Sequence, residues 1–180
     1  NNPHGACPTC DGLGTQKIID ESLIVPEPQL TLRGGAVAPW AKSSSPYYTQ
    51  TLEALGKHFG FKLGDRWSEL PAEAQAAILR GTKDKIAFKY DDGLRSYTTA
   101  KTFEGIIPNL ERRWKETDSA WAREEIERYM SNAPCPACDG YRLKPEARAV
   151  KINDCHIGQV TELSIRNAGD WFDRLPDELN

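Results

Sequence analysis

The chain writes one cysteine clip twice: CPTCDG at 7–12 and CPACDG at 135–140, with 124 residues between Cys10 and Cys135. This repeat restricts the fold more than any other feature. A CxxC loop lets two sulfurs reach one ion from adjacent backbone positions, and tetrahedral Zn²⁺ takes four thiolates. Glycine soon after the second cysteine lets the chain turn back so that its N–H groups face the sulfurs. Cys7, Cys10, Cys135 and Cys138 are therefore expected to be the four ligands of one structural zinc, two half-sites of a single centre. A thioredoxin-like CxxC needs one pair in a βαβ setting. Inert buried cysteines would not explain the repeated Pro-x-Cys-Asp-Gly. The fifth cysteine, Cys155, and His4 find no vacancy in a four-thiolate site, so Cys155 is read as a free thiol.

Closing a loop of more than a hundred residues costs little more than closing a shorter one, because the cost rises with the logarithm of length. It costs less if the intervening chain folds by itself with its ends together. The expected organisation is a stalk with the first half of the zinc module at 1–15, an inserted domain at 16–132, and the second half of the module with a following segment at 133–180.

The insert carries the patterns of a small α+β domain. LIVPEPQLTLRGGAVAPW (23–40) reads as irregular chain anchored by Trp40. Ser45-Pro46 is a helix start, Tyr48, Leu52, Leu55 and Phe59 share a helical face, and Gly60 is a stop. A second helix starts at Pro71 and ends at Gly81. Ile86, Phe88 and Tyr90 then alternate at strand spacing, Asp92-Gly93 signals a hairpin turn, and a return strand runs through Arg95, Tyr97 and Thr99. IIPNLERRWKETDS is a third helix, with Pro108 in its first turn. A fourth begins at Asp118 or Ser119 and places Ala122, Ile126, Tyr129 and Met130 on one face. Trp40, Trp67, Trp114 and Trp121 supply aromatic bulk for a core. After the second clip, RLKPEARAVKI reads as a strand entered through Pro145, and VTELSIRNAGDWFDRL as a turn into a helix. The chain runs out at DELN without a closing element, and reads as a segment of something longer.

Formal net charge is −3, so bulk electrostatics do not recruit nucleic acid or an anionic membrane. No secretory signal is visible in NNPHGACP, which leaves a reducing compartment as the expectation. Positive charge gathers locally. Residues 80–115 hold nine Lys/Arg against five Asp/Glu, a net +4. Lys85, Lys89, Arg95, Lys101, Arg112, Arg113 and Lys115 are the candidate phosphate contacts, and ERRWK adds a Trp beside two guanidiniums. The competing account is a solvated helix face with i,i+4 pairs such as Glu111–Lys115.

NNPHGACPTCDGLG, GGAVAPW, FEGIIPNLERRWKET and CPACDGYRLKPEA, in this order, resemble the first half of the bacterial UvrA family, the damage-sensing component of the excinuclease ABC repair system. The resemblance covers essentially the whole chain. It implies an insertion domain set in the first signature domain of an ABC-type ATPase, with zinc held by Cys7, Cys10, Cys135 and Cys138. It implies double-stranded DNA as a ligand bound without sequence preference, damage recognition in nucleotide excision repair, a homodimeric parent partnering the UvrB component of the excinuclease, and the bacterial cytoplasm. GxxxxGK[ST], LSGGE and an acidic Walker-B strand are absent from this sequence, so ATP would be bound by parts of the parent outside it, and no catalytic residue is expected here. CPTCDGLG also satisfies the CxxCxGxG repeat of Hsp40 (DnaJ-type) chaperones, which bind unfolded polypeptide. Those stack several repeats closely, whereas the second clip here, CPACDGYR, lacks the final glycine. A third possibility is a scaffold with no ligand of its own.

Overall fold

The computed structural model describes residues 2–41, 43, 45–91 and 93–178. In chain order the elements are β1 (Thr15–Ile19), α1 (Glu21–Ile24), α2 (Ala38–Ala41), α3 (Pro46–Phe59), α4 (Ala72–Arg80), β2 (Ile86–Asp91) and β3 (Ser96–Lys101). There follow α5 (Ile106–Glu116), α6 (Ala120–Glu127), β4 (Met130–Pro134), α7 (Pro145–Ala149), β5 (Lys151–Ile152), β6 (Cys155–His156), α8 (Ile157–Glu162) and α9 (Ile165–Glu178). The fold is α+β, and among the described residues the strands form two-stranded sheets: β1 with β4, β2 with β3, and β5 with β6. The chain forms two compact units, residues 19–131 and residues 1–18 with 132–180.

In the unit 19–131, α3 forms as its sequence dictates. The Ser45 side chain accepts from the Tyr47 N–H, Pro46 opens the first turn, and Gly60 closes it at φ 79°. Leu52 and Leu55 on its apolar face are buried, with Phe59 packed alongside. Strand β2 lies over α3 with Ile86, Phe88 and Tyr90 buried between them. Its antiparallel register with β3 runs from Ile86↔Lys101 to Asp91↔Ser96. Gln50 reaches from α3 to the Asp91 backbone in both directions, donating to its carbonyl at 2.7 Å and accepting from its N–H at 3.0 Å. Of the expected Asp92-Gly93 turn, Asp92 lies outside the described residues, while Gly93 has φ 86°. Gly81 and Gly105 meet back to back, both at positive φ. A Cβ on either would overlap the other's backbone neighbours, so two glycines let the end of α4 touch the start of α5.

Segment 23–40 is irregular apart from α1 and α2, yet it buries Ile24, Val25, Leu32, Ala36 and Val37. Trp40 stacks on Tyr48 at 4.9 Å between centroids. The expected tryptophan core needs correction at one position. Trp67 is buried, Trp40 and Trp114 are packed at the margin, but Trp121 is 72% exposed. The eight-residue α6 turns Ile126, not Trp121, toward the core. Tyr129 and Met130 fall beyond the end of that helix, and Met130 begins β4.

The unit formed by 1–18 and 132–180 departs further from expectation. Residues 145–149 are helix, not strand: Pro145 occupies the first helical turn, where its missing N–H costs nothing, and PEARA is rich in helix formers. Strand structure is confined to Lys151–Ile152 paired with Cys155–His156. Asn153 and Asp154 both take positive φ (48° and 60°), the conformation of a tight two-residue hairpin. Val160 and its neighbours belong to α8, whose N-cap is His156. The His156 ring accepts from the Gln159 N–H while the Gln159 side chain accepts from the His156 N–H.

Candidate metal centre and nucleic-acid interface

The two clips fold into two copies of one knuckle. In the first, Leu13 N–H donates to the Cys10 carbonyl (2.8 Å); in the second, Tyr141 N–H donates to that of Cys138 (2.9 Å). Asp11 and Gly12 take positive φ, as do Asp139 and Gly140. Four residues after the second cysteine of each clip stand Gly14 and Arg142, again both at positive φ (80° and 68°). The Gly14 N–H donates to Cys10 Sγ at 3.2 Å, and the Arg142 N–H does the same for Cys138. The copies are joined reciprocally. Cys7 N–H donates to the Arg142 carbonyl (2.8 Å), and Cys135 N–H to that of Gly14 (2.9 Å). The centre is thus locally two-fold, and Gly14 and Arg142 are equivalent. Only Gly14 must be glycine, since a Cβ there would lie 2.7 Å from the Gly140 carbonyl and 2.8 Å from Arg142 Cγ.

All four cysteines are buried, and their sulfurs lie within 4.8 Å of one another. A Zn–S bond of ~2.3 Å in tetrahedral geometry puts sulfurs about 3.8 Å apart, and Cys10 and Cys138 already stand at 3.7 Å. The electrostatics also suit a cation. Burial pushes the Cys138 thiol up to about 11, reinforced by Cys10, Cys135 and Cys7 facing it and opposed by the Arg142 N–H. Burial acts in the same direction on Cys7, but N–H groups of Cys10 and Thr9 and the thiols of Cys10 and Cys138 donate to it, and it falls to about 7. Four thiolates at this spacing repel one another strongly, and a divalent cation is what allows all four to ionise. Cys155 lies partly exposed outside the cluster, and His4 is exposed.

One residue near the centre has no signal in the cysteine pattern. Arg148, on α7, folds over the second knuckle, donating to the Ala137 carbonyl at 3.2 Å and lying 3.6 Å from the Asp139 carboxylate. Its Nε is buried with no partner among the described residues. A guanidinium here offsets part of the negative charge that a four-thiolate centre carries.

The candidate DNA contacts do not form one patch. Lys85 precedes β2, and Lys89 points from the outer face of β2, opposite Thr98. Lys101 lies on the other face, its ammonium 5.7 Å from the Phe88 ring and 5.4 Å from that of Tyr90. Arg95 sits exposed between the strands, and Arg113 and Lys115 are exposed on α5. Arg112 is committed elsewhere. Its Nε and Nη2 grip both oxygens of Glu104 (2.8 and 3.1 Å), and Nη1 meets Glu116 at 3.1 Å. Glu104 is held below the usual carboxylate range by Arg112 first and Asn109 second. In ERRWK, one arginine therefore ties the middle of α5 back to the loop that precedes it. Arg112 and Glu116 form an i,i+4 pair on this helix.

These features define a class: a small α+β domain whose sequence lies between the two halves of a four-cysteine knuckle, with cations spread over a hairpin and one helix. The sequence profile of the UvrA DNA-binding domain matches residues 20–128, and the chain belongs to that family. UvrABC system protein A of Rhizobium meliloti (strain 1021) is 77% identical over 180 residues, covering 100% of this chain and 18% of the relative. That of Agrobacterium fabrum (strain C58) is 75% identical over the same length, again 18% of the relative. The chain thus spans about a fifth of these relatives. The crystal structure of UvrA2 from Deinococcus radiodurans superposes with a TM-score of 0.63 at 28% identity, covering 97% of this chain and 22% of that one.

Proposed function

We propose that this chain is the DNA-contacting segment of a UvrA-type protein working in nucleotide excision repair. A domain at 16–132 is inserted between the halves of one structural zinc module, carried by 1–15 and 133–180. Cys7, Cys10, Cys135 and Cys138 hold the ion. The role is binding, not catalysis; ATP belongs to other parts of a homodimeric parent that meets UvrB in the bacterial cytoplasm. Membership of the UvrA family, with UvrABC system protein A relatives matching over the whole chain, clip included, displaces the Hsp40-type reading of CPTCDGLG.

The observation that carries this reading is the family match over 20–128, which contains every basic candidate from Lys85 to Lys115. The ligand is duplex DNA held by its phosphates, since a damage sensor must accept any sequence and phosphate contacts carry no sequence information. About three of these contacts come from among Lys85, Lys89, Arg95, Lys101, Arg113 and Lys115, which lie on different faces, with Lys89 and Arg113 the two put to the test. Arg112 supports them by ordering α5 through its two carboxylates. Fluorescence anisotropy across a salt series tests the surface. With about three phosphates neutralised, log K falls against log salt with a slope of about −3. Lys89→Glu with Arg113→Glu weakens binding to every sequence alike and flattens that slope. An unchanged slope would place the DNA surface elsewhere.

A further inference from the structure

The inner face of the hairpin carries aromatic rings that the phosphate surface does not use. Tyr90 is buried, with its hydroxyl 3.4 Å from that of buried Thr51. It is sandwiched in a nearly parallel series: Tyr47 stacks on it at 4.9 Å and 12°, and Phe88 lies at 6.1 Å and 7°. Across the strands, Tyr97 leans on Tyr90 at 5.5 Å and 44°. Tyr97 nonetheless stays 59% exposed, and Tyr47 41%. Lys101 shares the Tyr97 face of β3 and bends its ammonium back over Tyr90. An exposed ring, Tyr97, thus leans on a buried one, Tyr90, which itself stacks with Tyr47 and carries the Lys101 ammonium at 5.4 Å. Binding to such a ring orders little that is not ordered already.

We propose that Tyr97, backed by Tyr90, on whose ring Tyr47 and Lys101 also lie, is a stacking platform for an unpaired nucleobase of DNA. The ligand class follows from the chemistry. A ring face beside an ammonium suits a base with a phosphate attached, and stacking tolerates any base because each has a π-face. Intact duplex offers no free base face; duplex opened at a distortion does. The local charge of 80–115 is net positive, complementary to DNA and unsuited to a basic partner. This rests on the proposed DNA-binding role and adds to it a distinction between intact and opened DNA. It uses the hairpin face opposite Lys89, so the two contributions separate by mutation.

The test titrates the full chain against an intact duplex and against the same duplex with a central mismatched bubble carrying 2-aminopurine. The bubble is expected to bind more tightly, with quenching of 2-aminopurine as it stacks. Tyr97→Ala lowers bubble affinity about fivefold or more, abolishes the quenching, and leaves intact-duplex affinity unchanged. Tyr97→Phe retains all three properties, which separates stacking from loss of fold. Lys89→Glu weakens both DNAs equally. If Tyr97→Ala leaves bubble affinity and quenching as they were while Lys89→Glu still weakens both, the platform is overturned and the phosphate surface stands. If neither DNA binds, both fall.

Discussion

Residues 19–131 bury Phe88, Leu55, Ile78 and Ile106 in one continuous apolar cluster, with Ile24, Leu110 and Ile126 around them. In residues 1–18 and 132–180, the buried cluster is four cysteines, and among the described aliphatic side chains there only Val160 is buried. Large side chains in this second unit lie open: Ile165 is 95% exposed, Val150 70% and Leu13 69%. The contrast separates two sources of order. A domain of about a hundred residues removes enough apolar surface from water to offset its chain entropy. A smaller unit without such a core depends on a cross-link, and a structural metal supplies one through its ligands. The first unit is therefore expected to tolerate loss of the metal, and the second to tolerate nothing that disturbs the sulfurs.

The largest effect is expected from breaking the sulfur cluster. Structural zinc contributes roughly 10–16 kcal/mol in small zinc-dependent folds, far more than a unit with one buried valine holds otherwise. Cys135→Ser, or a strong chelator, should remove hydrogen-exchange protection from 1–18 and 132–180 while α3 keeps its own. Loss of protection at 46–59 together with the knuckles would show that the insert leans on the metal. Elemental analysis of the unaltered chain should return one zinc; none, or two, would remove the metal from the comparison altogether.

The reciprocal change is Phe88→Ala. Phe88 is fully buried between β2 and α3, and emptying such a site costs about 3–5 kcal/mol. Denaturant unfolding followed by tryptophan emission should report that loss in 19–131, where four of the five tryptophans lie. Bound zinc should stay at one per chain. Release of zinc by this substitution would mean that the two units do not unfold separately.

The smallest expected effect concerns pH. Glu104 has a depressed folded-state pKa because Arg112 and Asn109 bond its charged form. A depressed carboxylate adds stability that is present above its unfolded value and is lost as pH falls through the lower folded one. Unit 19–131 should therefore lose a little stability below about pH 4.3, and Glu104→Gln should flatten that part of the profile. The pair is substantially exposed, so the change should stay under about 1 kcal/mol. A steep loss in the variant would assign the acid sensitivity to other groups, such as Asp20, which Ser22 and Ser131 hold low.

Local code made much of this protein legible. Ser45-Pro46 and Gly60 bound α3 because a cap, a ring-fixed φ and a left-handed stop act within a few residues of themselves. The alternation at 86–90 marked β2, since period two is a property of the strand itself. The four-cysteine set was readable because two matching clips imply a shared partner whatever lies between. Other features needed the folded chain. Pro145 is as compatible with the first turn of a helix as with a strand entry, and only the neighbouring knuckle and hairpin decided for helix. Trp121 belongs to a helix whose apolar side is set by Ile126, so its exposure depends on which face met the core. Arg112 and Arg113 are adjacent and chemically identical, yet two carboxylates close on the first alone. The equivalence of Gly14 and Arg142 is hidden in sequence because one is glycine and the other is not; the backbone conformation they share makes it visible. Caps, periods and clips are short-range and therefore written in order along the chain. Burial, ion pairing and the stacking of Tyr97 on Tyr90 depend on which surfaces meet, and only the tertiary structure decides that.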